Sequence, residues 1–179
     1  MKKKYQKAIE INEARLMRLE EPGKAHDFGI PASILKDISL RYSMEAFLEG
    51  KALDPAEFGQ NGMEAVITAL KGPGDRTWEM VKRISIQTGV VFPHHIQYLV
   101  EAYLLATHPT SAYSIYESTP RSLWFFIKGC PCDGKDEVPC ESLCTSAFLR
   151  AGKESGLSLT VSVTKSNGCE VKISPALST

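Results

Sequence analysis

Apolar residues recur every three or four positions up to about His108 and at every second position beyond it, so the chain predicts helices followed by strands. Tyr5, Ala8, Ile9, Leu16 and Leu19 stand among charges and predict a helix over 5–19, ended by Pro22-Gly23. A second helix starts at Pro31 and runs to Gly50, burying Ile34, Leu35, Ile38, Tyr42 and Leu48. Asp54 followed by Pro55 caps a third, which Gly59 and Gly62 are expected to split before Met63–Lys71. After the breaker Gly72-Pro73-Gly74, a helix capped by Asp75 or Thr77 buries Trp78, Val81 and Ile84 and stops near Gly89. Pro93 opens the strongest stripe, formed by Ile96, Leu99, Val100, Tyr103 and Leu104 and ending near His108-Pro109.

Beyond Pro109 the period changes. Tyr113–Glu117 and Leu123–Ile127 are rich in aromatic and branched residues and flank Ser118–Arg121, which predicts a hairpin. Cys140–Ala151 returns to helical spacing and is closed by Gly152 or Gly156. Leu157, Leu159, Val161 and Val163 alternate with polar residues, as do Cys169, Val171 and Ile173, giving two strands with one apolar face each. A two-residue turn at Asn167-Gly168 would set those faces against each other. A three-residue loop, Ser166-Asn167-Gly168 with Gly168 at positive φ, pairs Val163 with Val171 and Val161 with Ile173. The expected fold class is α+β: a helical part, 1–109, packed on a cysteine-bearing strand-strand-helix-strand-strand unit, 110–179, with an antiparallel sheet.

Composition narrows the function. The 179 residues carry 21 Lys+Arg and 21 Asp+Glu, a formal net charge of zero, which removes the general phosphate attraction of most nucleic-acid binders. No apolar run reaches the roughly 18 residues of a membrane span, and Ile96–Ala106 is broken by Glu101. The basic start Lys2-Lys3-Lys4 leads into Glu10, Asn12 and Glu13 rather than an apolar stretch, so the expected location is the cytoplasm, with no nucleic acid and no membrane as partner.

All five cysteines follow residue 129, spaced C-x-C, seven residues, C-x3-C, then Cys169 after 24 residues. Cytoplasmic cysteines in odd number point to thiols or metal ligands rather than a disulfide framework. Cys140 and Cys144 lie one turn apart on the apolar helical stripe, facing the sheet side that carries Cys169, with Cys130 and Cys132 at the end of the aromatic strand. Converging thiolates hold zinc tetrahedrally or anchor an iron-sulfur cluster; small buried apolar residues and a redox thiol are the other uses of the same pattern. Candidate metal ligands are therefore Cys130, Cys132, Cys140, Cys144 and Cys169, with four thiolates closing a structural site. Candidate pocket residues are His95, Tyr113, Trp124 and Phe126, for a small apolar or aromatic ligand. His94-His95 otherwise read as exposed at a helix start, and His26 and His108, beside breakers, as solvated. Glu101, Glu141 and His95 are the acid or base candidates if an open metal position activates water. No phosphate loop, nucleophile elbow or H-E-x-x-H motif is present.

The two hairpins flanking a helix, Cys130-Pro131 after the aromatic strand, Cys144 in the helix and the terminal Asn167-Gly168-Cys169-Glu170-Val171-Lys172-Ile173 resemble the 4-vinyl reductase domain family over roughly Tyr113–Ser174. The chain is also similar to the related group named for 2-amino-thiazoline-4-carboxylate hydrolase, which joins a helical N-terminal part to a cysteine-bearing C-terminal one. The resemblance matches Cys169 to the family's last cysteine, Cys144 to its helix cysteine and Cys130 to the one after the aromatic strand; Cys132 and Cys140 have no counterpart, and the helix lacks the family's early glycines. It implies a small-molecule binding module, often with a cysteine-bound metal; by the thiolate argument that metal is expected to be zinc or alternatively an iron-sulfur cluster, and a homo-oligomer or a partner subunit is a further expectation. The alternative is a metal-dependent hydrolase or redox enzyme acting on a small heterocyclic or aromatic compound.

Overall fold

The computed structural model describes residues 28–50, 54–135, 139–165 and 167–176. The helix expected over 5–19 and His26 lie outside them. Five helices come first: α1 Ala32–Tyr42, α2 Met44–Glu49, α3 Pro55–Lys71, α4 Asp75–Thr88 and α5 Val91–Thr107. Strands β1 Ala112–Ser118 and β2 Leu123–Lys128 follow, then α6 Cys140–Glu154, β3 Leu159–Lys165 and β4 Cys169–Pro175. The class is α+β, with a four-stranded antiparallel sheet in the order β1-β2-β4-β3.

Local chemistry places the helix ends. The single helix expected from Pro31 to Gly50 is two, because Ser43 is extended (φ −68°, ψ 162°) and its hydroxyl accepts the Ala46 amide at 3.1 Å, starting α2 afresh. Asp54 caps α3 by accepting the Glu57 amide at 2.8 Å, with Pro55 in the first turn. Gly59 and Gly62 do not split α3. A Cβ on Gly59 would stand 2.1 Å from the Leu143 carbonyl oxygen of α6, and one on Gly62 would press on Tyr42 and Tyr103 at 3.3 Å. Their low helix propensity, a cost of about 1 kcal/mol each, is accepted in exchange for close approach of neighbouring elements. Neither Asp75 nor Thr77 caps α4; the capping position is Gly74, whose backbone is crowded by Phe28 and Leu70. α5 begins at Val91, before Pro93, and is buried on all sides.

The terminal hairpin takes the register the alternation predicts, Val163 opposite Val171 and Val161 opposite Ile173, with Gly168 at φ 134°; residue 166 lies outside the described residues. Leu123, Phe125 and Ile127 of β2 and Cys169, Val171 and Ile173 of β4 form the buried sheet face. α6 packs on it through Phe148, and Leu143, Cys144, Ala147 and Ala151 of the same helix are buried too. Phe148 meets Phe125 of the sheet and Tyr103 of α5 edge-on, at 5.7 and 5.8 Å between ring centres. On its other side α6 packs against α3, and the Lys71–Glu154 and Arg150–Glu64 ion pairs stitch the two helices at the rim. A buried chain of polar groups joins β1 to α5: the Ser118 hydroxyl donates to Gln97 Oε1, and Gln97 Nε2 donates to Glu101 Oε1 at 3.2 Å. No helix among the described residues is long and apolar enough to cross a membrane.

Candidate metal centre

Three elements bring the cysteines to one end of α6. β2 leaves the sheet through Gly129 (φ 73°), and two successive turns follow: the Asp133 amide donates to the Cys130 carbonyl at 2.8 Å and the Lys135 amide to that of Cys132 at 3.2 Å. With its polar backbone groups satisfied locally, this loop can turn both side chains inward, and Cys130 and Cys132 are buried. Cys140 is the first residue of α6. Cys169 opens β4, opposite Ile127 of β2 on one side and Lys165 of β3 on the other. All five cysteines are free and buried.

Four of the thiols interact as a ring. Cys130 engages Cys132 and Cys169, and Cys140 engages the same two from the opposite corner. Cys132 and Cys169 are the donors, which pushes their thiols up; Cys130 and Cys140, each accepting two S–H groups, are held well below the ordinary thiol range. His108 adds to the effect at Cys130, and Lys165 at Cys140. Cys144, one helical turn deeper, stays outside the ring, and burial pushes its thiol up. The contacts are pairwise: among the described residues no group of three or more His, Cys, Asp or Glu side chains stands ready around a single metal position. The difference is physical, since S–H···S contacts hold neighbours together without drawing all four sulfurs toward a centre.

The other candidate residues are dispersed. Tyr113 and Ile115 of β1 pair with Ile127 and Phe125 and so share the inner sheet face. Trp124 and Phe126 point to the opposite face, where Tyr116, pushed out by a bulge, meets Trp124 edge-on at 5.2 Å and Lys172 lies 4.6 Å over the indole. His95 belongs to the helical part, its ring 5.2 Å from that of Trp78. The histidine pair is not exposed: His94 is 5% exposed and His95 half-buried, because α5 starts two residues before Pro93 and is enclosed throughout. Glu101 is buried beside Gln97, and Glu141 is exposed. His108, read from the sequence as solvated, is 3% exposed and lies against Cys130. The signal for this neighbour is the β1–β2 hairpin, whose register sets the residues before Ala112 alongside those after Lys128. Lys165 likewise follows from the hairpin register, which sets it across from Cys169.

No protein-family profile matches the chain, the 4-vinyl reductase family included, and no curated protein does. Among solved structures, a similar chain is that of an H-NOX protein variant from K. algicida, crystallised as Fe(II) unliganded. It is 10% identical, with a TM-score of 0.43 over 82% of this chain and 88% of that one.

Proposed function

We propose that this chain is a small-molecule binding protein whose C-terminal part is fixed by one zinc ion held by thiolates of the ring Cys130, Cys132, Cys140 and Cys169. The ring carries the reading. Sulfurs bound at about 2.3 Å to one tetrahedral ion lie about 3.8 Å apart, close to van der Waals contact. Thiolates on different irons of a cluster are held apart by the cluster body. Four thiols that neighbour one another therefore suit a single ion better than an iron-sulfur cluster. Such an ion would clamp the 129–135 loop, the start of α6 and the start of β4, three segments far apart in sequence. The resemblance of the C-terminal part to a small-molecule binding module supports the other half of the reading. The competing hydrolase reading draws less support, since Glu101 is engaged with Gln97 and Glu141 faces solvent.

The test is metal and sulfide content, with an absorption spectrum, on full-length protein purified without oxygen or added metal. One zinc per chain, lost from C140S and C169S, is the expected result. Iron with sulfide would replace zinc by a cluster, and a folded protein that takes up no metal would end the proposal.

A further inference from the structure

A row of aromatic rings runs through the helical part, away from the cysteines. Phe28 stands edge-on to Tyr98 of α5 at 4.8 Å between ring centres, Tyr98 lies 5.9 Å from Trp78 of α4, and Trp78 lies 5.2 Å from His95 of α5. The last two pairs are tilted by only 34° and 32°. At the Phe28 end the Tyr98 hydroxyl donates to the Phe28 carbonyl. At the other end the polar atoms have no such partner. Trp78 is 1% exposed, and its indole Nε1, which can only donate, is fully buried and meets no acceptor among the described residues. Both ring nitrogens of His95 are buried in the same condition, although the residue as a whole is half-buried. Buried polar atoms are paired in the great majority of cases, and a buried Trp N–H usually finds an acceptor. Three orphaned nitrogens on two neighbouring rings therefore mark a place where something else supplies the hydrogen bonds.

The surrounding charges say what kind of group fits. Lys82 Nζ stands 5.7 Å over the Trp78 ring but is already paired with Glu79 at 2.7 Å. Burial, helped by the Lys82 charge, holds the His95 imidazole toward its neutral form, with one N–H and one lone pair. A carboxylate brought here would be desolvated beside a cation that is already engaged. A neutral carbonyl oxygen meets the indole N–H without that penalty. We infer that the small molecule of this protein binds at Trp78 and His95, as a flat neutral compound whose carbonyl oxygen accepts from the Trp78 N–H and whose ring lies against the aromatic row. The inference rests on the small-molecule reading above. It keeps His95 from the sequence-derived pocket and moves the site away from Trp124 and Phe126, which point to the outer face of the sheet.

The experiment is an NMR titration of full-length, nitrogen-15-labelled protein with benzamide, alongside toluene, which lacks the acceptor, and benzoate, which adds the charge. The chain has two tryptophans and so two indole N–H signals, which Trp124→Phe assigns. Benzamide should move the Trp78 indole signal downfield and bind at least about 10-fold more tightly than benzoate. Trp78→Phe keeps a ring in the row and deletes the donor. It should weaken benzamide about 5- to 10-fold in calorimetry and leave toluene unchanged, with circular dichroism checking the fold; if the variant does not fold, the indole shift in the parent decides. Tighter binding of benzoate, or a Trp78 indole signal in contact with a long-lived water and indifferent to all three probes, would overturn the inference. Shifts confined to the Trp124 indole and the sheet amides would also overturn it and leave the small-molecule reading standing. No shift anywhere in the spectrum would overturn that reading, and this inference with it.

Discussion

Gly59 of α3 lies so close to Leu143 of α6 that a side chain on it would begin 2.1 Å from the Leu143 carbonyl oxygen. Backbone cannot swing aside as a side chain can. Gly59→Ala should therefore push the two helices apart and cost about 3 kcal/mol or more, the upper end of overpacking effects. Urea unfolding of the two proteins measures it; a loss below about 0.5 kcal/mol would mean that the helices are not this close in solution.

Phe148 joins sheet, α6 and α5 through its edge-on contacts with Phe125 and Tyr103. Phe148→Leu should cost about 1–2 kcal/mol and Phe148→Ala about 3–5 kcal/mol, since no neighbouring ring can fill the space without leaving its own partner. The same unfolding curves decide, and equal losses for the two variants would contradict the packing.

Burial holds the His95 imidazole below its usual 6.5, with Lys82 and His94 repelling its charge and Glu154 pulling the other way. The folded value is thus lower than the unfolded one. The sign follows: its contribution to stability is complete above about pH 6.5 and is lost as pH falls through the lower folded value. A pH series of melting temperatures from 7.5 down to 5 should show less acid destabilisation in His95→Gln than in the parent, and parallel curves would refute the assignment.

Cys140 and Cys144 share a helical face but not a role. Cys140→Ser should lower zinc affinity on the order of 100-fold, a modest share of the ~10–16 kcal/mol typical of structural zinc. Cys144→Ala, outside the ring, should keep one zinc per chain and lose only packing energy, about 1 kcal/mol. Competition with a chromogenic chelator reads both, and a Cys144→Ala protein without metal would put the fifth cysteine in the site.

Gln97 is the hinge of the buried polar chain, accepting from Ser118 and donating to Glu101. Replacing it by Ala strands the Ser118 hydroxyl and removes one donor from the carboxylate. The expected loss is about 2 kcal/mol by thermal or urea unfolding.

The C-terminal hairpin was the most legible part of the sequence. Strict alternation fixes which side chains share a face, and only the three-residue loop reconciles Val163 with Val171. Cys140 and Cys169 followed from the same reasoning, because a helix stripe and a strand face must meet. What escaped was decided by contacts between distant segments. Gly59 and Gly62 look like breakers until Leu143, Tyr42 and Tyr103 are seen to occupy the space beside them. The break at Ser43 depends on one hydroxyl turning back to the Ala46 amide, which the uninterrupted apolar spacing gives no reason to expect. His108 comes beside Cys130 because the β1–β2 register, Ala112 opposite Lys128, sets the chain before β1 alongside the chain after β2.

α6 has two buried faces, one against the sheet and one against α3. Chain order separates the helical part from the cysteine-bearing part at about residue 109, but α6 belongs to the interior of both. We propose on this ground that the two are halves of one cooperative body. A fragment of residues 110–179 would present the Leu143 side of α6 to water and self-associate, whereas the two halves expressed together as separate polypeptides would find each other and restore a single unfolding transition. Two independent transitions in the intact chain would show the parts to be autonomous.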